Sequence, residues 1–386
     1  MINIDCECSM DMAYRNAVLL HINEQLENVI YYNERPRFHI RDDPFQLSEQ
    51  EFIQLFRLKK ETTNRLINII KDIVEPSRST ALDATVQVLT ALRFFASGSY
   101  QNCIGHNIHM AISQPSVSRC IHHVTNILNL PEIFNNWVRF SRNLQELQHL
   151  RNKFWINHQF PGAIGCIDCI ATHVAIFPPS KEDENYPEHI YINRKGYHSI
   201  NVQLICDSDL RIINVNARYP GSTHDSYIWN NSNVLPIMQD IYNHGHKFFL
   251  LGDSGYALRP WMMTPIMNND EHNIAIRRYN DRQKSTRSLI ERCNGLLKMR
   301  FCCLLKHRVL HYQSNVCSKI INACTVLHNM CIHDNVPLPA LEAKDEVHNG
   351  INDEINEPGI DNIANRNHDL MAGQKICNNL IRQYFS

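Results

Sequence analysis

What this sequence lacks narrows it first. No apolar run approaches the ~20 residues that a membrane-spanning helix requires, so no segment is expected to cross a bilayer. The first residues, Met1-Ile-Asn-Ile-Asp-Cys-Glu-Cys8, are acidic and carry no basic segment. They do not read as a secretory leader, and the expectation is an intracellular chain. Net charge is nearly absent, −1 over 386 residues, and by itself argues neither for nor against nucleic acid. A second Cys-x-x-Cys at finger spacing is also missing, which weakens any structural-zinc reading of the 14 cysteines.

What is present is ordinary globular material, 44% hydrophobic and 20% charged, enough for two domains or one large domain with additions. In a reducing compartment most of the scattered cysteines should be buried thiols. Two groups invite metal: Cys166 with Cys169, and Cys324, His328, Cys331 and His333. The first pair sits in an apolar, strand-like run. In the second group Cys324, His328 and Cys331 mark one face of a helix, so packing explains both. Charge is local. From Arg277 to Arg308 ten basic residues face only Asp281 and Glu291, while from Glu342 to Asp361 seven acidic residues face only Lys344. The basic block is either a solvated helix face or a phosphate-contacting one.

Along the chain, residues 1–45 are a polar N-terminal segment with a helix expected over Asp11–Tyr32. Residues 46–150 read as helical. Ser48 is an N-cap candidate for a helix over Glu51–Phe56, and helices follow over Lys60–Val74 and Ala84–Ala96, the last closed by Ser97-Gly98. Tyr100–His109 and Gln114–Leu128, joined by a short turn and with Ser113 as cap and Pro115 in the first turn, give a helix-turn-helix pattern. Its second helix would offer Gln114, Ser116, Ser118 and Arg119 to bases; a plain helical hairpin is the alternative. Residues 151–335 change texture. Gly162–Ile170, His173–Phe177, Ser199–Cys206, Arg211–Ala217 and Lys247–Leu251 read as strands, with Ser199–Cys206 alternating at period two. A short helix is expected near Asp225–Asn230, a segment Asn273–Arg277 precedes a long helix from Thr286, and another helix runs over Asn315–Cys331. The fold class expected is α/β, a mixed sheet flanked by helices behind a helical domain. Residues 336–386 read as an acidic, flexible linker ending in a docking helix over Gln374–Phe385.

Three carboxylates stand out. Asp168 and Asp253 each end an apolar run, Ala163-Ile-Gly-Cys-Ile167 and Phe248-Phe-Leu-Leu-Gly252. A carboxylate buried there without a partner would cost several kcal/mol, so a cation, an arginine or exposure at a strand end must compensate. Two such strand ends can present a site for a hard divalent ion; as single residues they can equally be turn or cap residues. Glu291 lies on the polar face of the long helix with Arg287, Gly295 and Lys298. An i, i+4 ion pair with Arg287 accounts for it without any site, and Gly295 is expected to let the helix approach a neighbour closely.

Several short stretches together carry a resemblance. Gly165-Cys-Ile-Asp-Cys169 with Thr172-His-Val-Ala-Ile176 resembles the first-aspartate motif of the PIF/Harbinger superfamily of transposases. Tyr191-Ile-Asn-Arg-Lys-Gly-Tyr-His-Ser-Ile-Asn-Val-Gln203, Tyr219-Pro-Gly-Ser-Thr-His-Asp-Ser226, Leu251-Gly-Asp-Ser-Gly-Tyr256, Ile290-Glu-Arg-Cys-Asn-Gly295 and Leu327-His-Asn-Met330 follow in the family's order. The likeness spans roughly residues 85–335 and is strongest to the animal Harbinger transposase-derived nucleases. It implies an RNase H-like DDE nuclease core with catalytic carboxylates at Asp168, Asp253 (85 residues on) and Glu291 (38 further), and Asp225 as a further metal contact. It implies Mg²⁺ or Mn²⁺ as cofactor, DNA as substrate, two-metal cleavage of phosphodiester bonds, a nuclear location with the cytoplasm as a second place, and a Myb/SANT-like DNA-binding partner. Arg287, Arg292, Lys298 and Arg300 would hold the DNA backbone. One departure stands: Ile170-Ala171 comes between the Asp-Cys step and Thr172-His173, two residues that keep side-chain facing yet predict a bulge. A non-catalytic, DNA-binding or scaffolding descendant of a transposase is the alternative function. A zinc-stabilised interaction module is a third.

Overall fold

The structure, a computed structural model, describes residues 41–73, 82–169, 174–179, 187–267, 273–338 and 363–386. The expected helix over Asp11–Tyr32 lies outside these residues, as do Ile170–His173 and most of the acidic linker.

The helical part begins with α1 (Glu49–Phe56), whose start is a reciprocal cap. The Glu51 amide donates to Ser48 Oγ at 3.2 Å, and the Ser48 amide donates to Glu51 Oε2 at 2.9 Å. Helices α2 (Lys60–Ile73) and α3 (Ala84–Ser97) follow. Gly98 ends α3 at φ 61°, a left-handed position that suits glycine. α4 spans only Gln101–Gly105, shorter than its sequence pattern suggests; the chain then turns, with Ala111 at φ 44°, before α5 (Gln114–Leu128). Two helices escaped the sequence reading, α6 (Pro131–Trp137) and α7 (Leu144–His158); α7 buries little more than Leu147 and Phe154, so its periodicity is faint.

The sheet is built on β1 (Ala163–Asp168). β3 (Ser199–Cys206) lies antiparallel to it with Leu204 opposite Asp168, and β4 (Ile212–Pro220) is antiparallel to β3. On its other side β1 pairs in parallel with β5 (Phe249–Leu251), which pairs in parallel with β6 (Met262–Met263). The short β2 (Val174–Ala175) also pairs with β3, Val174 opposite Ile200, and so continues the line of β1 along the same edge. Between Asp168 and Val174 there are six residue steps, against four between Leu204 and Ile200. The two surplus residues are the size of the Ile170-Ala171 addition, and the ladder resumes in phase beyond them.

One face of the sheet packs α7, α8 (Asp225–Asn230) and α9 (Val234–Asn243) through Leu147, Trp229, Val234 and Met238 against Ile164, Ile167 and Leu250. The other packs α10 (Ile274–Arg300) and α11 (Ser314–His333) through Leu289, Cys293 and Leu327 against Cys166, Leu204 and Leu251. Asn273 caps α10 by accepting from the Ile276 amide at 3.2 Å, so this helix starts well before Thr286 and includes most of the segment expected to precede it. Gly295 does not make the close approach expected of it: a Cβ there would meet open space.

The buried cluster on the α10 face runs without a break into α1, α2, α3 and α5. Polar ties reinforce it. Arg65 pairs with Asp334 at 2.5 Å, Thr62 also donates to that carboxylate, and Asn322 donates to Asn129 at 3.0 Å. At the C-terminal end, α12 (Ile363–Leu380) and one further turn dock Phe385 between Phe160 and Tyr279, with ring centroids 5.9 and 5.6 Å away. This is the docking helix expected near Gln374–Phe385, longer at its start.

Candidate metal centre and nuclease site

The sheet and α10 together create the site. Cys166 on β1 donates its thiol to the Thr286 carbonyl at 3.4 Å, and Gln283 Nε2 donates to the Gly252 carbonyl at 2.7 Å, just beyond β5. These bonds fix the helix against the ends of two neighbouring parallel strands. Gln283, Arg287 and Glu291 then follow at i, i+4 and i+8, one stripe of the helix.

Arg287 joins the carboxylates. Its guanidinium lies 3.9 Å from Asp168 Oδ2 and 2.6 Å from Glu291 Oε1. Burial works against its charge, but attraction from Asp168, Glu291 and Asp253 outweighs it and raises its pKa. Asp168, only 5% exposed, would be costly to hold as an anion without such company. Asp253 sits in the turn after β5, accepting from the Gly255 amide at 3.0 Å. Burial raises its pKa; Arg287 pulls it down and Glu291 pushes it up, so Asp253 senses both groups.

Asp225 enters from the start of α8. Asn201, on the second face of β3, donates to its Oδ1 at 3.0 Å and to the Thr223 carbonyl at 2.9 Å. Burial lifts the Asp225 carboxyl to about 6, against the Asn201 hydrogen bond and with help from the Asp253 charge. The period-two pattern of β3 suggested a strand with one wet face. Instead every residue of β3 is buried, and its polar side chains serve the site: Asn201 holds Asp225, and Gln203 donates to Cys169 Sγ at 3.5 Å. Cys169 also lies 3.3 Å from Tyr256 Oη, and burial pushes its thiol pKa up.

The donors gathered here are carboxylate oxygens, and burial raises the pKa of two of them, Asp225 and Asp253. That chemistry suits a hard divalent cation. Among the described residues, however, no three His, Cys, Asp or Glu side chains stand close enough to hold an ion as placed. Glu291, with 46% of its side chain exposed, is turned to Arg287, as an i, i+4 pair would have it. Thus Asp168 and Glu291 meet at Arg287, Asp253 feels the charges of Arg287 and Glu291, and Asp225 feels that of Asp253.

The residues proposed for DNA divide. Gln114 and Arg119 are exposed at the start of α5, with Arg119 donating to Ser116 Oγ at 2.9 Å; Ser116 and Ser118 are half-buried there. Arg292 is exposed. Three others are placed differently. Arg287 belongs to the carboxylates. Arg300 is 4% exposed, with Nη1 3.4 Å from His328 Nδ1 and Nη2 donating to the Val336 carbonyl at 3.3 Å, so it serves the core and is not offered to phosphate. Lys298 is half-buried, and burial with the nearby Lys195 lowers its pKa to about 8. Sequence reasoning missed Arg287 as a partner of Asp168, and it missed Asn201; the available signal for Asn201 was a polar residue recurring in an apolar strand.

The zinc candidates are packed side chains. Cys324 Sγ lies 3.8 Å from Cys303 Sγ, His328 Nε2 lies 2.9 Å from the Leu210 carbonyl, and Cys331 donates to the Arg57 carbonyl at 3.3 Å.

A family model described as DDE superfamily endonuclease matches residues 167–329. The chain is 34% identical to the human protein named "Putative nuclease HARBI1" over 303 residues, 77% of this chain and 82% of that one. It is 37% identical to the mouse protein of the same name over 66% of this chain and 69% of that one. It is 24% identical to an Arabidopsis thaliana protein named "Protein ALP1-like" over 73% and 70%. No solved structure matches. The mixed sheet flanked by helices, with carboxylates at its strand ends, is consistent with a DDE nuclease domain. The chain belongs to the DDE superfamily endonucleases, in the Harbinger transposase-derived group.

Proposed function

We propose that this chain is a divalent-metal-dependent nuclease acting on DNA phosphodiester bonds, with Asp168, Asp253 and Glu291 as the catalytic carboxylates and Asp225 in support. The observation that carries the reading is the pairing of Asp168 and Glu291 with one guanidinium whose charge Asp253 also feels, beyond two adjacent parallel strands. The strand order β4-β3-β1-β5-β6, antiparallel on one side of β1 and parallel on the other, supports an RNase H-like core.

Asp168 and Asp253 would hold Mg²⁺ or Mn²⁺ between them, with Glu291 completing the set. Two such ions, when bound, supply an activated water or 3′-hydroxyl and stabilise the leaving oxygen. The chain's own contribution is placement. Gln283 fixes the end of β5, Asn201 fixes Asp225, and Arg287 sets a positive charge beside Asp168 and Glu291 and pulls the Asp253 pKa down against burial. Turning Glu291 away from Arg287 is a side-chain motion at an exposed position. Arg292 and the start of α5 would position the DNA backbone. A nuclear site of action and a separate Myb/SANT-like DNA-binding partner complete the proposal and rest on the family resemblance alone.

A second reading, a DNA-binding protein that no longer cuts, is favoured by the Arg287–Glu291 pair and by the two surplus residues after Asp168. A cleavage assay on DNA with Mg²⁺ or Mn²⁺ separates the two. The nuclease reading expects metal-dependent cleavage that Asp168→Ala reduces at least about a hundredfold, beyond the 10–100-fold typical of groups that merely orient a ligand. Equal, metal-independent rates in both proteins would leave only the binding reading.

A further inference from the structure

The loop between α10 and α11 carries an exposed ridge of rings. His311 lies 6.2 Å from Tyr100 and 5.3 Å from Phe177, centroid to centroid, with Tyr100 73% and Phe177 55% exposed. The contacts within the ridge are tilted rather than edge-on, at 44° and 35°. Large rings at such exposure are costly in water unless something covers them.

The ridge is fixed. The Leu310 amide donates to the Ala175 carbonyl at 3.1 Å, and the Phe177 amide donates to the Leu310 carbonyl at 2.9 Å, so the loop is sewn to β2. Gly98, at the end of α3, would set a Cβ 2.9 Å from Cys303 Cα and 3.0 Å from Arg308 Cβ, so helix and loop are in contact. Gln101 Nε2 donates to Tyr312 Oη at 2.7 Å, and Gln114 Nε2 donates to Gln101 Oε1 at 2.6 Å. A chain of hydrogen bonds therefore leads from the ridge to the exposed start of α5. Since β2 prolongs the line of β1 past Asp168, the ridge also stands beyond the carboxylate end of that strand.

Charge selects the occupant. Lys306, His307 and Arg308 are exposed beside the rings, Lys306 with its Nζ 4.7 Å from the Tyr197 ring centroid. From Arg292 to His333 the sequence contains no Asp or Glu. The acidic residues nearest Phe177 in sequence, Glu182-Asp-Glu184, lie outside the described residues. Flat rings interleaved with cations suit unpaired bases on a phosphate backbone; stacked base pairs of a duplex do not offer their faces. We propose that Tyr100, Phe177 and His311, with Lys306 and Arg308, form a stacking surface for single-stranded DNA, continuous with the start of α5. The proposal deepens the nuclease reading by naming unpaired DNA as what this face holds beyond the carboxylate end of β1.

The test needs no cleavage. Full-length protein in EDTA is titrated against a fluorescent oligothymidylate and against a blunt duplex hairpin, with anisotropy as readout at several salt concentrations. The Tyr100→Ala/Phe177→Ala double variant should bind the oligothymidylate at least about tenfold more weakly, with the duplex changed far less. Tyr100→Phe/Phe177→Tyr should restore wild-type affinity, which separates stacking from misfolding. Lys306→Gln/Arg308→Gln should lower the salt steepness by about 1. Unchanged oligothymidylate affinity in the alanine variant, as expected if the ridge takes a protein instead, overturns the proposal, and so does an equal loss on both DNAs. Because no metal is present, the result stands whether or not the carboxylates cleave.

Discussion

Two regions of this molecule look like metal sites in the sequence, and they are built in opposite ways. The α11 group of Cys324, His328 and Cys331 satisfies itself. His328 uses one ring nitrogen on the Leu210 carbonyl and the other toward Arg300, and the thiols meet each other or backbone carbonyls. The carboxylate group does not. Arg287 brings one positive charge to Asp168, Asp253 and Glu291, and burial still raises the pKa of Asp253 and Asp225. A cluster whose polar atoms are matched from within is architecture. A cluster whose charges repel one another under burial is held for something that arrives later. Ligand spacing in the sequence cannot make this distinction, because it reports neither burial nor partners.

The largest effect expected in the self-satisfied region is on stability. Arg300→Leu removes the partner of His328 Nδ1 and of the Val336 carbonyl and should cost about 1–3 kcal/mol of unfolding free energy. DNA binding and its salt dependence should stay unchanged. Arg292→Gln, on the exposed face, should do the reverse, leaving stability alone and lowering the salt steepness by about 1. A salt slope that responds to Arg300→Leu and not to Arg292→Gln would invert the assignment of this helix.

The charge-repelling region should show the opposite sign. Asp225 has a folded pKa of about 6 against 3.8 ordinarily, so the folded state binds the proton more tightly than the unfolded one. Its contribution to stability is therefore fully present below about pH 4 and lost as pH rises through 6. Asp225→Asn should stabilise the metal-free protein at pH 7 by on the order of 2 kcal/mol, with the gain vanishing near pH 4. Thermal melts in EDTA across that range check it; a destabilised variant at pH 7 would mean that Asp225 is a structural acceptor for Asn201.

The sequence disclosed the fold unevenly, and for physical reasons. Helices with strong amphipathic spacing or good caps, α1 at Ser48 and α3 at Gly98, were legible. α7, with few buried residues, and the end of α4 at Gly105 were not. β3 looked half-wet because Asn201 and Gln203 alternate with apolar residues; those polar groups are buried under the site, where alternation and burial say different things. Asp168 and Asp253 were conspicuous as charges after apolar runs. Asp225, Arg287 and Glu291 were not distinguishable from ordinary solvated side chains without the resemblance, since an i, i+4 pair looks the same on a solvated face as beside a buried aspartate.

The smallest effect expected in this comparison is in the thiols. Cys324→Ala should cost about 1 kcal/mol, the scale of a small cavity, and the purified protein should contain no stoichiometric zinc. Zinc at one equivalent, lost in this variant, would move the α11 group to the other side of the comparison.

Glu291 tests the central claim most directly, because the two accounts of it differ on one rate. As an exposed partner of Arg287 it would contribute under about 1 kcal/mol, and Glu291→Gln would leave cleavage of saturating DNA near the wild-type rate. As the third metal carboxylate it is required for chemistry while its charge repels DNA. The account predicts that Glu291→Gln binds DNA as well as or better than wild type and cleaves it at least about a hundredfold more slowly with Mg²⁺ or Mn²⁺. A wild-type cleavage rate would remove Glu291 from the site and contradict the three-carboxylate assignment.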